Sequence, residues 1–143
     1  MEERMTSEGI ETRVAKCIAQ VLALDLVDIR PDSRLMDDLG AESLDLVELM
    51  YVLEHEFGIR MEQKDMSLTA QLGLSDEEIH EHEVLTPRAL EALRERFPWA
   101  QELLKPGITR KHLAALLTVA EVTRAVERKL TSVGAEPVNT ATS

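Results

Sequence analysis

Apolar residues recur at helical spacing in several separate stretches of the chain. Ile10, Val14, Cys17, Ile18 and Val21 fall on one side of a helical wheel, with Arg13, Lys16 and Gln20 opposite. That spacing predicts an amphipathic helix from Ser7 or Gly9 to about Leu22. The periodicity then stops. In LDLVDIRPDSRLMDDLGAE, residues Pro31, Asp32, Ser33 and Gly40 favour turns, while Leu26, Ile29, Leu35 and Leu39 are left to anchor the segment to a core. A long ordered connection is expected, of the kind that tends to be functional. The second helix is predicted from Ser43 to about Phe57, with Ser43 at or next to the N-cap and Gly58 just past the end.

Further along, IRMEQKDMSLTAQLGL breaks the helical pattern. Ser75 with Glu78 resembles a capping box opening the helix SDEEIHEHE, and Thr86-Pro87 starts a helix carrying Leu90, Leu93 and Phe97. Pro98 and Pro106-Gly107 punctuate the chain, a short helix is expected after Thr109, and Thr118 with Glu121 caps a stripe of Val119, Val122, Val126 and Leu130. No stretch alternates as a strand should, nothing repeats, and the tail GAEPVNTATS is small and polar, as disordered ends are. The expected fold is an all-α bundle: one domain over 1–132 and a disordered tail over 133–143.

Composition narrows the function. At 143 residues, 44% hydrophobic and 3% aromatic, the chain can bury one modest core built from aliphatic side chains. A net charge of -11 argues against nucleic acid and for partners with basic surfaces. Cys17 is the single cysteine, so an internal disulfide and a thiolate metal cluster are excluded, and its place on the apolar stripe makes it a core residue. The segment MEERMTSEGIETR has no apolar signal core, and no run reaches the ~18 apolar residues of a membrane span. A cytoplasmic protein is expected, and the strong acidity favours a monomer.

The second helix has three faces. Leu46, Leu49, Met50, Leu53 and Phe57 cluster toward a core, Leu44, Val47 and Tyr51 form a second apolar strip, and Asp45, Glu48 and Glu56 make an acidic ridge. The extra strip is either covered by the helices that follow or exposed as a docking strip that carboxylates steer a basic partner toward. Ser43 lacks what a hydrolytic serine needs. Its context GAESL is no GxSxG elbow, and His55 lies about three turns away along the same helix. No catalytic residue is assigned. Beyond an ordinary helix cap, the position offers unpaired N–H groups and a positive dipole end suited to an attached phosphate. His80 and His82 in IHEHE are two apart, point in different directions on a helix and have no strong third ligand, so no metal site is expected.

The run LGAESLDLVELMYVLEHEFGI resembles the signature of the acyl carrier proteins, through Leu39-Gly40, Ser43-Leu44-Asp45, Val47-Glu48-Leu49, Leu53-Glu54 and Glu56-Phe57. IETRVAKCIAQVLAL is similar to that family's first helix and LLTVAEVTRAVERKL to its last, so the resemblance covers about residues 8 to 62 and 108 to 131. It implies an acyl-carrier-like helical bundle with extra inserted helices, with 4′-phosphopantetheine from coenzyme A joined covalently to Ser43. An acyl chain would be held as a thioester on that arm for fatty-acid or lipid biosynthetic enzymes. Glu42, Asp45 and Glu48 would meet basic residues on the phosphopantetheinyl transferase and on acyl synthases and acyltransferases. Leu44, Val47 and Tyr51 would form the apolar strip between them, and Leu46, Met50 and Leu53 would shelter the acyl chain.

Two features depart from the family. Glu42 stands where an aspartate usually precedes the serine, and residues of about 64 to 107 are additional. Such an insertion resembles specialised carriers of unusual or very long acyl chains, among them those serving lipid A. Leu90, Leu93, Phe97, Trp99, Leu103 and Leu104 would either lengthen an acyl cavity or form a surface for a dedicated acyltransferase. The competing readings are a peptidyl or aminoacyl carrier, disfavoured by Gly40-Ala41-Glu42 in place of a Gly-Gly pair, and an unmodified interaction module that kept the carrier fold.

Overall fold

The computed structural model describes residues 7–72, 74, 76–82 and 84–135. Helix α1 (Ser7–Leu22) forms where its stripe predicts, burying Ile10, Val14, Cys17 and Ile18, with Val21 packed at the edge of the same core. Helix α2 (Ser43–Phe57) buries Leu49, Leu53 and Phe57. It ends at Gly58, whose φ of 67° and ψ of 38° lie in the left-handed region open to glycine. The last long helix, α6 (Val119–Ala135), buries Val119, Val122, Ala125 and Val126, and its backbone stays helical through 133–135. Residues 136–143 lie outside the described residues. Helix α1 packs against both α2 and α6. Arg13 reinforces the first contact: its Nε donates to Glu56 Oε2 at 2.9 Å, its Nη2 to the Glu56 carbonyl at 2.9 Å, and its guanidinium sits 4.5 Å from the Phe57 ring centroid.

The long connection 23–42 is ordered by backbone pairing. Leu35 is buried and its N–H donates to the Leu117 carbonyl at 3.0 Å. The Val119 and Ala120 N–H groups donate to Ser33 and Pro31 carbonyls at 3.0 and 2.8 Å. The loop thereby satisfies donors that the start of α6 would otherwise leave unpaired. Ile29 and Leu39 pack on the core as expected, whereas Leu26, in a short 3₁₀ turn (Leu26–Asp28), is 42% exposed and stands outside that core.

Between α2 and α6 the chain builds a second apolar cluster. Met61 and Met66 still belong to the first core, and two 3₁₀ turns (Gln63–Met66 and Leu68–Gln71) lead away from it. Lys129 of α6 holds the first of these turns through Asp65, Nζ to Oδ2 3.2 Å. From Leu68 to Leu116 the buried residues, including Leu90, Leu93, Phe97 and Leu104, pack on one another. Helix α4 (Pro87–Arg96) opens as predicted, with Pro87 at its first turn and Thr86 Oγ1 accepting from the Ala89 N–H at 3.2 Å. Helix α5 (Arg110–Ala114) is capped likewise by Thr109, which accepts from His112 N–H at 3.2 Å.

One stretch differs from expectation. The proposed cap Ser75 lies outside the described residues, and the helix expected over SDEEIHEHE is only the single turn α3 (Asp76–Ile79). Strand β1 (His80–Glu81) follows and pairs antiparallel with β2 (Val84–Leu85), His80 opposite Leu85. Backbone partners distant in sequence cause this: Leu85 N–H donates to the Ile108 carbonyl at 2.9 Å, Thr86 N–H to Ile79 at 2.8 Å, and Val84 bridges Thr109. The architecture remains all-α apart from this small hairpin.

Candidate functional site

The loop 34–41 sets the entry to α2. Ala41 N–H donates to the Leu35 carbonyl at 2.8 Å and Gly40 N–H to Met36 at 3.1 Å. Gly40 adopts a φ of 79°, which lets the chain turn toward Glu42. Glu42 is the N-cap and Ser43 the first residue inside the helix. The cap is carboxylate-based: Asp45 Oδ2 accepts from the Glu42 N–H at 2.9 Å. Ser43 is therefore not the capping side chain. It is exposed, and among the described residues its hydroxyl has no hydrogen-bond partner.

The flanking residues divide as the wheel suggests. Leu44 is 79% exposed and Tyr51 66%, with Val47 half-buried between them, so the inserted helices leave this strip open. Glu42 and Glu48 are exposed beside it and Asp45 is half-buried. Residues 42–56 carry five carboxylates and no Lys or Arg, an electrostatic field that attracts a basic surface.

Behind the serine, a small apolar cavity of about 10 Å³ is lined by Ile18, Val21, Leu22, Leu35, Ala41, Asp45, Leu46 and Leu49. Of the three residues expected to shelter an acyl chain, Leu46 lines it. Met50 is half-buried against the same core and Leu53 is fully buried, and neither forms part of these walls. No residue of 64–107 lines it either. The walls from Ile18, Val21, Leu22, Leu35 and Ala41 escaped the sequence reading, because they come from α1 and the connection and meet α2 only in the folded chain.

Chemically, an exposed primary hydroxyl at a helix start suits a phosphodiester: the first N–H groups of α2 and its dipole stabilise the added negative charge. The donor set for a metal is different. Among the described residues no group of three or more His, Cys, Asp or Glu side chains is placed to hold a metal ion. Cys17 is buried, and its burial together with the Glu56 carboxylate pushes the thiol up to about 11, with Arg13 pulling the other way. A thiol so protonated is a poor nucleophile. Among the described residues no helix is long and apolar enough to cross a membrane.

A family model for the phosphopantetheine attachment site matches residues 12–71, from within α1 through the connection and α2 to the end of the second 3₁₀ turn. An acyl carrier protein of Solidesulfovibrio magneticus is 39% identical over 57 residues, which is 40% of this chain and 73% of that protein.

Proposed function

This chain belongs to the acyl carrier protein family, and on that premise we propose that Ser43 is the residue that bears its covalently attached 4′-phosphopantetheine. The observation that carries this assignment is the exposed Ser43 hydroxyl at the first residue of α2, without a hydrogen-bond partner among the described residues and inside the matched segment. When bound, the group supplies a terminal thiol on which an acyl chain is held as a thioester. The chain's own residues orient and present it. Glu42, Asp45 and Glu48 draw in basic partners, the phosphopantetheinyl transferase and acyl-handling synthases and acyltransferases, while Leu44, Val47 and Tyr51 give these enzymes an apolar strip to close on. No residue here catalyses the acyl chemistry, and the carrier works in the cytoplasm.

The acyl chain enters beside Leu46. A cavity of about 10 Å³ has room for no more than about one water molecule, so a chain lodges there only by parting α1 from α2, with Met50 and Leu53 as deeper contacts. The buried apolar residues Leu90, Leu93, Phe97 and Leu104 of the insertion close on one another, and Trp99 and Leu103 stay exposed, which favours the surface role over a longer cavity. We read the insertion as a device for selecting a dedicated acyltransferase for unusual or very long chains. Capture of partners by the loaded carrier tests that finer reading, and recovery of housekeeping fatty-acid synthases alone counts against it.

The assignment of Ser43 is tested by intact mass after incubation with coenzyme A and a broad-specificity phosphopantetheinyl transferase. One added phosphopantetheine is expected on the native chain and none on Ser43→Ala. Gain on both would move the arm to another residue. No gain with several transferases would replace the carrier reading by an unmodified interaction module.

A further inference from the structure

The lobe formed by the insertion leaves two large apolar side chains in solvent, Trp99 at 51% and Leu103 at 45% exposure. They stand on one rigid turn. Ala100 and Leu104, their chain neighbours, are fully buried, and the N–H groups of Leu103 and Leu104 both donate to the Ala100 carbonyl, at 2.8 and 2.9 Å. Beneath, the buried Phe97 ring meets Trp99 edge-on at 6.2 Å. Gln101 Nε2 donates to the Arg94 carbonyl at 3.2 Å and ties the turn to the end of α4. A tryptophan held in place in this way loses little side-chain entropy when a partner covers it.

The charge of the segment that carries this knob runs against that of the molecule. Residues 94–112 hold five Lys or Arg against two Glu, in a chain of net charge -11. Arg94, Lys105 and Lys111 are exposed, and among the described residues their side chains make no ion pair. Helix α2 presents the converse surface: exposed Leu44 and Tyr51 on the helix that carries the exposed carboxylates Glu42 and Glu48 and the half-buried Asp45, while Glu56 is paired with Arg13.

We infer that the Trp99 knob docks on the α2 face of a second copy of this chain, head to tail. Apolar residues would meet apolar residues and cations would meet carboxylates, the pairing of charge and burial that gives a specific interface. The two surfaces differ, so each copy offers one knob and one face, and the contact propagates into short open chains instead of closing as a two-fold pair. Net repulsion opposes it in dilute solution, where the chain is a monomer. Screening at physiological salt, with a Debye length of about 8 Å, removes long-range repulsion but spares close contacts. Docking would cover the surroundings of Ser43 and compete with basic partners. The inference uses only surfaces of the unmodified chain, so it stands or falls separately from the assignment of the arm to Ser43.

Sedimentation velocity of the full unmodified chain over a concentration series provides the test. It is run with a knob variant, Trp99→Ala with Lys105→Glu, and a face variant, Leu44→Ala with Glu48→Lys, both checked for native helicity by circular dichroism. The native sedimentation coefficient should rise with concentration and each variant alone should stay monomeric. An equimolar mixture of the two variants should form a one-to-one pair and go no further, because one intact face then meets one intact knob. Trp99 is the only tryptophan, so its emission should shift to the blue as the native chain associates. A native chain that stays monomeric to its solubility limit overturns the inference, and so does association that survives either variant. A blue shift with anionic phospholipid vesicles or an acidic polypeptide, without self-association, also overturns it by assigning the knob another partner.

Discussion

The backbone N–H of Glu42, the N-cap of α2, donates to the Asp45 carboxylate at 2.9 Å, so these two acidic residues, and not the serine between them, close the capping box of the helix that presents Ser43. Asp45 and Glu48, two acidic residues of one ridge, therefore have different jobs. Asp45→Ala is expected to cost about 1 kcal/mol of stability through the lost cap and to slow modification by the transferase. Glu48→Lys, at an exposed position, should change stability by less than about 0.5 kcal/mol and still slow modification. Thermal unfolding beside transferase rates distinguishes them, and equal stability losses would contradict the division.

The Ser43 hydroxyl makes no hydrogen bond among the described residues, which sets up a second expectation. Ser43→Ala should abolish attachment of the arm while leaving stability within about 0.5 kcal/mol of native. A loss near the ~1 kcal/mol of a deleted N-cap would mean that the hydroxyl caps α2 in solution.

Cys17 makes stability depend on alkaline pH. Its thiol is raised from 9.0 to about 11 by burial and by Glu56. Between those values the folded chain keeps a proton that the unfolded chain releases. The stabilisation is thus fully present below about pH 9 and is lost as pH rises toward about 11, on the order of 2 kcal/mol across the window. Denaturant midpoints of the native chain should fall over that range, and those of Cys17→Ala should fall less. Parallel curves would refute the shift.

The two apolar clusters should separate under mutation. Leu93 is fully buried in the second cluster and Leu53 in the first. Truncation of either to alanine removes packing of similar size, about 2 to 5 kcal/mol. Leu93→Ala should speed amide hydrogen exchange in 87–116 while α1 and α2 keep their protection, and Leu53→Ala should expose α1 and α2. Equal acceleration everywhere in Leu93→Ala would show that both clusters open as one unit.

The sequence alone determined the features that depend on near neighbours. The stripe of α1, the start of α4 at Thr86-Pro87, the left-handed Gly58 and the three faces of α2 all follow from helical period, capping and glycine freedom. Ser43 and its carboxylates Glu42, Asp45 and Glu48 were legible for the same reason: they lie within about two turns of one helix. Only the tertiary structure decided what depends on distant partners. The first strand of the hairpin, His80–Glu81, is polar and weakly strand-forming, and the second, Val84–Leu85, is held by Ile108 and Thr109. The apolar residues of the insertion look alike in the sequence. Yet Leu90, Leu93, Phe97 and Leu104 close a second core while Trp99 and Leu103 face solvent, because Ala100 and Leu104 take the inward side of their turn. The cavity beside Leu46 likewise exists only where α1, the connection and α2 converge, since its walls come from segments that the chain brings together on folding.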